Sequence, residues 1–269
     1  MAFEPRFFSW TAVTMCIVGL YVFGTLGVNL GFHRLLSHRS FACPRWLEHV
    51  LAILGVCCLQ EGPSRWVAIH RKHHQHADDP IDPHSPLVTL VWGHVGWLVT
   101  ENRESDSLDL YDTHARDLLE QAFYRRVERR YTWLWIYAAH ALLFAVAGTA
   151  IGWLVEATPA DAMRFAASIV VWGVFVRTAL VWHITWSVNS LGHLWGYRTH
   201  ATPENSRNNW LVALLSNGEG WHNNHHAQPR SAAHGHRWWE LDVSYLTILA
   251  LEAVGLAWDV TRPSPRRAS

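Results

Sequence analysis

The hydrophobic pattern divides the chain into three long apolar runs separated by polar, histidine-bearing stretches. The first, "FFSWTAVTMCIVGLYVFGTLGVNLGF" (7–32), carries no charge over a length that spans a bilayer, and predicts a transmembrane helix over about 8–32. A cleaved signal peptide has a shorter apolar core, and this run leads straight into a histidine motif. The runs at 131–155, "YTWLWIYAAHALLFAVAGTAIGWLV", and 165–186, "FAASIVVWGVFVRTALVWHITW", predict two more spans, the last interrupted by Arg177 and His183. Between them "EATPADAMR" reads as a short connector. Stretches 46–60 and 243–258 are apolar but short or charged, which fits interfacial or buried helices. The expected fold is all-α: an integral membrane protein with about three transmembrane helices, one domain over 1–269, no internal repeat, and a disordered tail, "TRPSPRRAS".

Arg34, Arg39 and Arg45 follow the first run, and Arg125, Arg126, Arg129 and Arg130 precede the second. By the positive-inside bias, 33–130 and 187–269 lie in the cytoplasm, so both histidine-rich regions meet on one membrane face. Composition changes the picture in two places. There are 19 histidines, which ask for a metal, and 17 tryptophans, which fit aromatic belts at a membrane interface. The 22 basic and 22 acidic residues balance, and no basic stripe argues for nucleic acid. Four cysteines without a CxxC suggest a reduced compartment and no disulfide framework.

The histidines are patterned. On an α-helix, positions i, i+3 and i+4 share a face. His70, His73 and His74 form one such triplet and His222, His225 and His226 another, each able to converge on a metal. His33 and His38, five apart, would swing about 140° from each other on an ideal helix. They would serve different metals, or one would sit past the helix end. Asn189 and His193 share a face again. Nine histidines exceed one ion's needs, since catalytic zinc takes three protein ligands, so two ions with four or five nitrogens each are expected. Imidazole alone does not choose among zinc, copper, iron and nickel. A site where two spans leave the bilayer, beside acyl chains, favours redox chemistry on hydrocarbon with iron and dioxygen. Asp78, Asp79, Asp82 and Glu219 are candidates to hold the outer ring nitrogens, and equally to cap helices in an acidic loop. His49, His114, His140, His200, His234 and His236 read as ordinary solvated or hydrogen-bonded residues; for His76, His84, His94 and His183 both readings stay open.

The boxes "HRLLSH", "HRKHH" and "HNNHH", with "NSLGH" after the last span, resemble the membrane-bound fatty acid desaturases of the stearoyl-CoA (delta-9) type. The flanking "DPHSP", "GHVGWL" and "NGEGWHNNHH" are similar to bacterial and plant-type members, and the likeness covers Gly31 to Trp239. The resemblance implies that His33, His38, His70, His73, His74, His193, His222, His225 and His226 bind two irons. It also implies that Asn189 holds a metal-bound water. The implied reaction is oxygen-dependent insertion of a cis double bond, at the delta-9 position, with dioxygen as co-substrate. Electrons would come from a separate ferredoxin, rubredoxin or cytochrome with its reductase, since no heme or flavin domain is fused here. A bacterial inner membrane would be the location, with the site on its cytoplasmic face.

Three departures qualify the likeness. Family members usually have four spans, two of them before the first box. This chain has room for one there, so its start is truncated or its N-terminus faces outward. Ala68 and Ile69 stand where animal enzymes carry charges that contact coenzyme A, and "TENRESDSLD" is acidic where theirs is basic. CoA, acyl carrier protein and an intact glycerolipid therefore all remain as acyl carriers. Finally, Asn29, Thr25 and Tyr21 step back from His33 along one helix face. At 1.5 Å per residue, Thr25 and Tyr21 lie roughly 12 and 18 Å from it, and one of them could stop the methyl end of the substrate. Hydroxylases and acetylenases of the same superfamily are the nearest alternatives. A metal transporter is remote, because it would hold its ligands near the membrane midplane. A single Glu-x-x-His, Glu219 to His222, argues against the soluble carboxylate-rich desaturases.

Overall fold

The computed structural model describes residues 8–264 apart from 103, 104, 106 and 108. Parts of the "TENRESDSLD" stretch and residues 265–269 of the tail therefore lie outside the described residues. Among those described there is no strand, only isolated bridges such as Ala42 with Trp258. Three helices are long and apolar enough to cross a membrane: α1 (Trp10–Ser37), α4 (Ala122–Val155) and α5 (Pro159–Leu194). Between α1 and α4 lie α2 (Arg45–Val56) and α3 (Pro63–His76). After α5 come the one-and-a-half-turn α6 (His222–Ala227) and α7 (Val243–Ala253).

The helices outrun the hydrophobic patterns that predicted them. α1 continues five residues past the apolar run, taking His33 and Arg34 into the helix, and α5 continues to Leu194, taking Asn189 and His193 with it. Hydropathy stops at the first charge, whereas a helix continues while its backbone hydrogen bonds are made. Over Leu20–Ser37, α1 is wound as a π-helix, closed by i→i+5 bonds. α4 bends at Arg130 and Tyr131, which adopt φ of +52° and +58°.

The segment 46–60 is too short for a span, and α2 buries Leu47, Leu51, Ala52, Gly55 and Val56 while Trp46 and Val50 stay exposed. α2 packs along α1 so closely that a Cβ on Gly27 would stand 2.3 Å from the Gly55 amide nitrogen, and one on Gly31 2.9 Å from the Leu51 carbonyl oxygen. Only glycine permits that approach. α4 packs mainly on the first part of α5 and leaves Leu142, Leu143, Val146 and Leu154 exposed, as a lipid-facing helix would. Arg177, inside the third apolar run, is wholly buried. Its guanidinium donates to the Cys57 carbonyl (2.8 Å) and approaches His140 Nε2 (3.1 Å), and it lies 4.3 Å from the centre of the Phe23 ring. A charge within an apolar span persists only when it faces the protein interior with such partners. All four cysteines are free thiols.

Candidate metal centre

Four elements deliver histidines to one point between the ends of α1 and α5. The π-helical winding of α1 decides where the first two go. His38 is the C-cap, and its N–H bonds the carbonyl of His33 at 3.1 Å, one π-turn below. Of the two arrangements expected for this spacing the second is found: His38 sits just past the helix end, and both rings serve one group. Pro63 opens α3, whose last turns carry His70, His73 and His74; α5 ends with His193; α6 is the third box itself.

The nine imidazoles sort into two sets. His33, His38, His70, His74 and His225 form one, and His73, His193, His222 and His226 the other, with ligand atoms in each set within 4.8 Å of one another. Neither triplet converges as the spacing suggested: each gives its i and i+4 members to one set and its i+3 member to the other. The interleaving of α3 with α6 causes this, since each helix faces both sets.

The ring nitrogens behave as donors around a shared centre. His225 Nε2 lies 3.1 Å from His33 Nε2 and 2.9 Å from His74 Nε2, while His38 and His70 Nε2 are 2.8 Å apart. In the second set His222 Nε2 is 3.0 Å from both His193 and His226 Nε2. A ring nitrogen offers one in-plane lone pair or one N–H. It cannot satisfy two imidazole neighbours by hydrogen bonding, but several lone pairs can converge on a cation. His73 Nε2 is buried without a hydrogen-bond partner, as an atom reserved for such a centre would be.

Four of the opposite nitrogens face carboxylates. His33 Nδ1 meets Glu219 at 2.5 Å, His73 Nδ1 lies 3.0 Å from both Asp82 oxygens, and His193 Nδ1 lies 3.0 Å from Asp78. Glu204 approaches His226 Nδ1 at 3.5 Å. A carboxylate there keeps the proton on Nδ1 and leaves Nε2 free as a ligand. Burial, and then the neighbouring imidazoles, push His38, His70, His74, His222, His225 and His226 well below the usual histidine range, toward the neutral form that binds metal. Burial pulls His73 the same way, but Asp82, Asp78 and Glu204 together outweigh it and the net shift is upward. Burial would raise Asp78, yet its hydrogen bond to His193 helps bring it down to about 2.

The expected acidic partners divide. Asp78, Asp82 and Glu219 reach the histidines, whereas Asp79 lies on the surface 3.8 Å from His76. Behind Glu219 stands Arg34, fully buried, which donates to Glu219 (2.7 Å), to Asp242 (2.9 Å) and to the Ala232 carbonyl (2.6 Å). Nothing in the sequence marks the roles of Arg34, Asp242 and Glu204: Arg34 reaches Glu219 and Asp242 across about 190 residues, and no local spacing links Glu204 to His226. His234 is a correction. It is 1 % exposed rather than solvated, its ring centre lies 4.2 Å from that of His225, and neither of its nitrogens is hydrogen-bonded. His84 is settled likewise, packed 4.4 Å from the His73 ring. His140 is hydrogen-bonded to Arg177, His49 stacks on Phe123, and His94 pairs with His183 at 3.0 Å.

A cavity of about 270 Å³, lined partly by Trp97, Trp182, Trp186 and Leu98, leads to His70 and Asn189. Its lining overlaps that of a narrow limb reaching His33 and His222, which in turn shares Asn29, Ile184, Thr185 and Ser216 with a further limb ending at Leu20, Gly24 and Val181. Asn189 therefore borders the cavity beside both sets. Thr25 and Asn29 line the limbs; Asn29 donates to the Ser216 carbonyl (2.8 Å) and Thr25 accepts from Asn217 (2.7 Å). Tyr21 points elsewhere, its hydroxyl 2.8 Å from Thr247 on the exposed side.

The fatty acid desaturase family profile matches residues 8–245. The chain is 42% identical over 267 residues to an sn-2 palmitoyl-lipid 9-desaturase of Nostoc sp., covering 99% of this chain and 87% of that one. It is 40% identical to an sn-1 stearoyl-lipid 9-desaturase of Synechocystis sp. (98% and 76% covered) and 41% identical to one of Anabaena variabilis (96% and 87%). The chain belongs to the fatty acid desaturase family, the oxidoreductases that use dioxygen to introduce double bonds into acyl chains.

Proposed function

We propose that this protein is an acyl-lipid delta-9 desaturase of a bacterial inner membrane, one domain over 1–269, with two irons held by its nine histidines on the cytoplasmic face. The observation that carries this reading is the five-and-four sorting of imidazoles, with Nε2 atoms converging and the Nδ1 atoms of His33, His73 and His193 fixed by buried carboxylates. Imidazole donors accommodate iron as they do zinc, copper and nickel, and the choice of iron rests on the family. Asn189, at the cavity wall beside His222, is positioned to hold a metal-bound water.

Bound there, the iron pair supplies oxygen activation. Each turnover takes one dioxygen, two electrons and two protons, removes two hydrogens from adjacent acyl carbons, and releases two waters. The protein's own groups do the rest. The tryptophan-walled cavity excludes water from the alkyl chain, and the limb between α1 and α5 receives the methyl end. Thr25 and Asn29, tethered to Asn217 and Ser216, fix the wall of that limb. The carboxylates behind His33, His73 and His193 keep each imidazole oriented.

An intact lipid as carrier is supported by the cavity mouth. Among the described residues no lysine or arginine lines it, and the one carboxylate among them, Glu61, is paired with Arg65. Among those lining residues the phosphates of coenzyme A find no counter-charge. Leu87, Val88, Val91 and Val99 stand exposed along the adjoining segment, suited to contact the bilayer from which a lipid would slide in. The delta-9 position rests on the cyanobacterial relatives. The electron donor is a separate ferredoxin, rubredoxin or cytochrome.

The test is expression in a host with a suitable donor, with product lipids identified by mass spectrometry and His73→Ala alongside. A new double bond at carbon 9 in lipid-bound chains, absent in the variant, is expected. A hydroxylated product lost in the variant would move the function to a hydroxylase; products equal in both would overturn the histidine assignment.

A further inference from the structure

The iron reading requires two electrons per turnover from outside, and the question is where they arrive. A surface cleft of about 380 Å³, sharing no residue with the acyl cavity or its limbs, opens onto the rings of His38 and His74. Both belong to the five-imidazole set. The acyl cavity approaches the centre by His33, His70 and His222 instead. The two sets thus have two separate approaches, one walled by tryptophan and leucine, the other polar.

The walls of the cleft are Ser37, Arg39, Arg71, Pro229 and Arg230. Arg71 is fixed as a floor, donating to the Leu36, Ser37 and His114 carbonyls and to Asp117. Arg39 is largely exposed and also pairs with Asp117. Arg230 is exposed and, among the described residues, has no hydrogen bond or ion pair. Among the described residues three guanidiniums thus line the cleft, two of them paired with the single carboxylate of Asp117. Among the described residues no large exposed hydrophobic residue lines it, in contrast to the segment 87–99.

We propose that this cleft is the docking surface for the reducing partner, a small electron-carrier protein with an acidic rim, and that electrons enter through the His38 and His74 ring edges. The inference rests on the iron reading above. Each carrier is oxidised by one electron, so two successive dockings complete one turnover. Such encounters are small, brief and steered by complementary charge. The cleft suits that, being open and positive, with the imidazoles at its base.

The experiment uses the full chain in nanodiscs of neutral lipid and an acidic [2Fe–2S] ferredoxin as probe. Binding of the oxidised ferredoxin is titrated for wild type, Arg39→Glu, Arg230→Glu, the double variant, Arg230→Lys, and Arg164→Glu as a remote charge control. Turnover is measured with ferredoxin and, separately, with dithionite. Each reversal in the cleft should weaken binding about tenfold and raise the KM for ferredoxin in step, with the double variant worse still. Arg230→Lys and Arg164→Glu should bind as wild type, dithionite-driven turnover should be unchanged, and wild-type binding should fall as salt rises. Unchanged ferredoxin binding in the double variant would overturn the proposal, as would wild-type binding that is abolished by anionic phosphatidylglycerol in the nanodisc but indifferent to salt in neutral lipid. Wild-type protein that desaturates with neither reductant would overturn the function reading itself, an outcome separate from loss of ferredoxin binding alone.

Discussion

Replacing Asp82 by asparagine removes the charge behind His73 while keeping the side chain's shape. In the native protein both Asp82 oxygens lie 3.0 Å from His73 Nδ1, and they also accept from the backbone N–H groups of Asp78 (2.8 Å) and His84 (3.1 Å). Asparagine retains one acceptor oxygen, so His73 keeps a neutral hydrogen bond and loses a charged one. A hydrogen bond to a charged group contributes about 1.5–3 kcal/mol, against about 0.5–1.5 for a neutral pair. The difference, roughly 1–1.5 kcal/mol, corresponds to about a tenfold change in an equilibrium constant. Groups that orient metal-binding histidines cost about 10–100-fold in affinity when altered, so the expected loss for Asp82→Asn lies in that window. It should fall on the four-histidine set alone, because His73 belongs only to that one. The assay is iron release to a graded chelator from purified, iron-loaded protein, read as iron per chain. Wild type should release both ions together, and the variant should give up one of them at about 10–100-fold lower chelator activity. A variant that holds both ions with wild-type resistance would refute the argument that the carboxylate sets the ligand strength of His73.

Other expectations follow from the same geometry. Burial, then the charge of His73, depresses His84 to about 3, and burial also lowers His38, His70, His74, His222, His225 and His226. A depressed pKa gives stability that is present above the unfolded value near 6.5 and lost as pH falls toward the folded one, at about 1.4 kcal/mol per group per pH unit. The Tm of metal-free protein should therefore drop steeply between pH 7 and 5, and a flat profile would contradict the burial of neutral imidazoles. Gly24 faces Val181 where the narrow limb ends, with only 3.2 Å for a Cβ. Gly24→Leu should shift products toward shorter chains, whereas an unchanged chain-length profile by gas chromatography would move the methyl terminus elsewhere. Gly27→Ala should destabilise the α1–α2 crossing by about 1–3 kcal/mol, seen as a lowered Tm in detergent, because its Cβ would overlap the Gly55 backbone. A wild-type Tm would mean the two helices separate at little cost.

Much of the architecture was legible in the apolar runs, and the candidate histidines in their spacing. Two things were not. The division of each triplet between sets depends on how α3 and α6 face one another, a long-range packing result that an i, i+3, i+4 pattern cannot contain. The alignment of His33 with His38 depends on the π-winding of α1, and no residue in "LYVFGTLGVNLGFHRLLS" signals i→i+5 bonding. His234 looked like an isolated surface histidine because its neighbours, Glu219 and His225, reach it only through the fold. Arg34 was visible as one more positive charge at the end of a span. That it is buried, and bridges Glu219 and Asp242, is a property of the assembled site.

The most direct test is the metal itself. Purified protein, expressed with iron and isolated without chelator, should contain two irons per chain by elemental analysis, with a Mössbauer spectrum of high-spin iron in nitrogen-rich coordination. His225→Ala and His222→Ala, one from each set, should each lower that stoichiometry. One iron or none in catalytically active wild-type protein, or two irons undisturbed in both variants, would contradict the account.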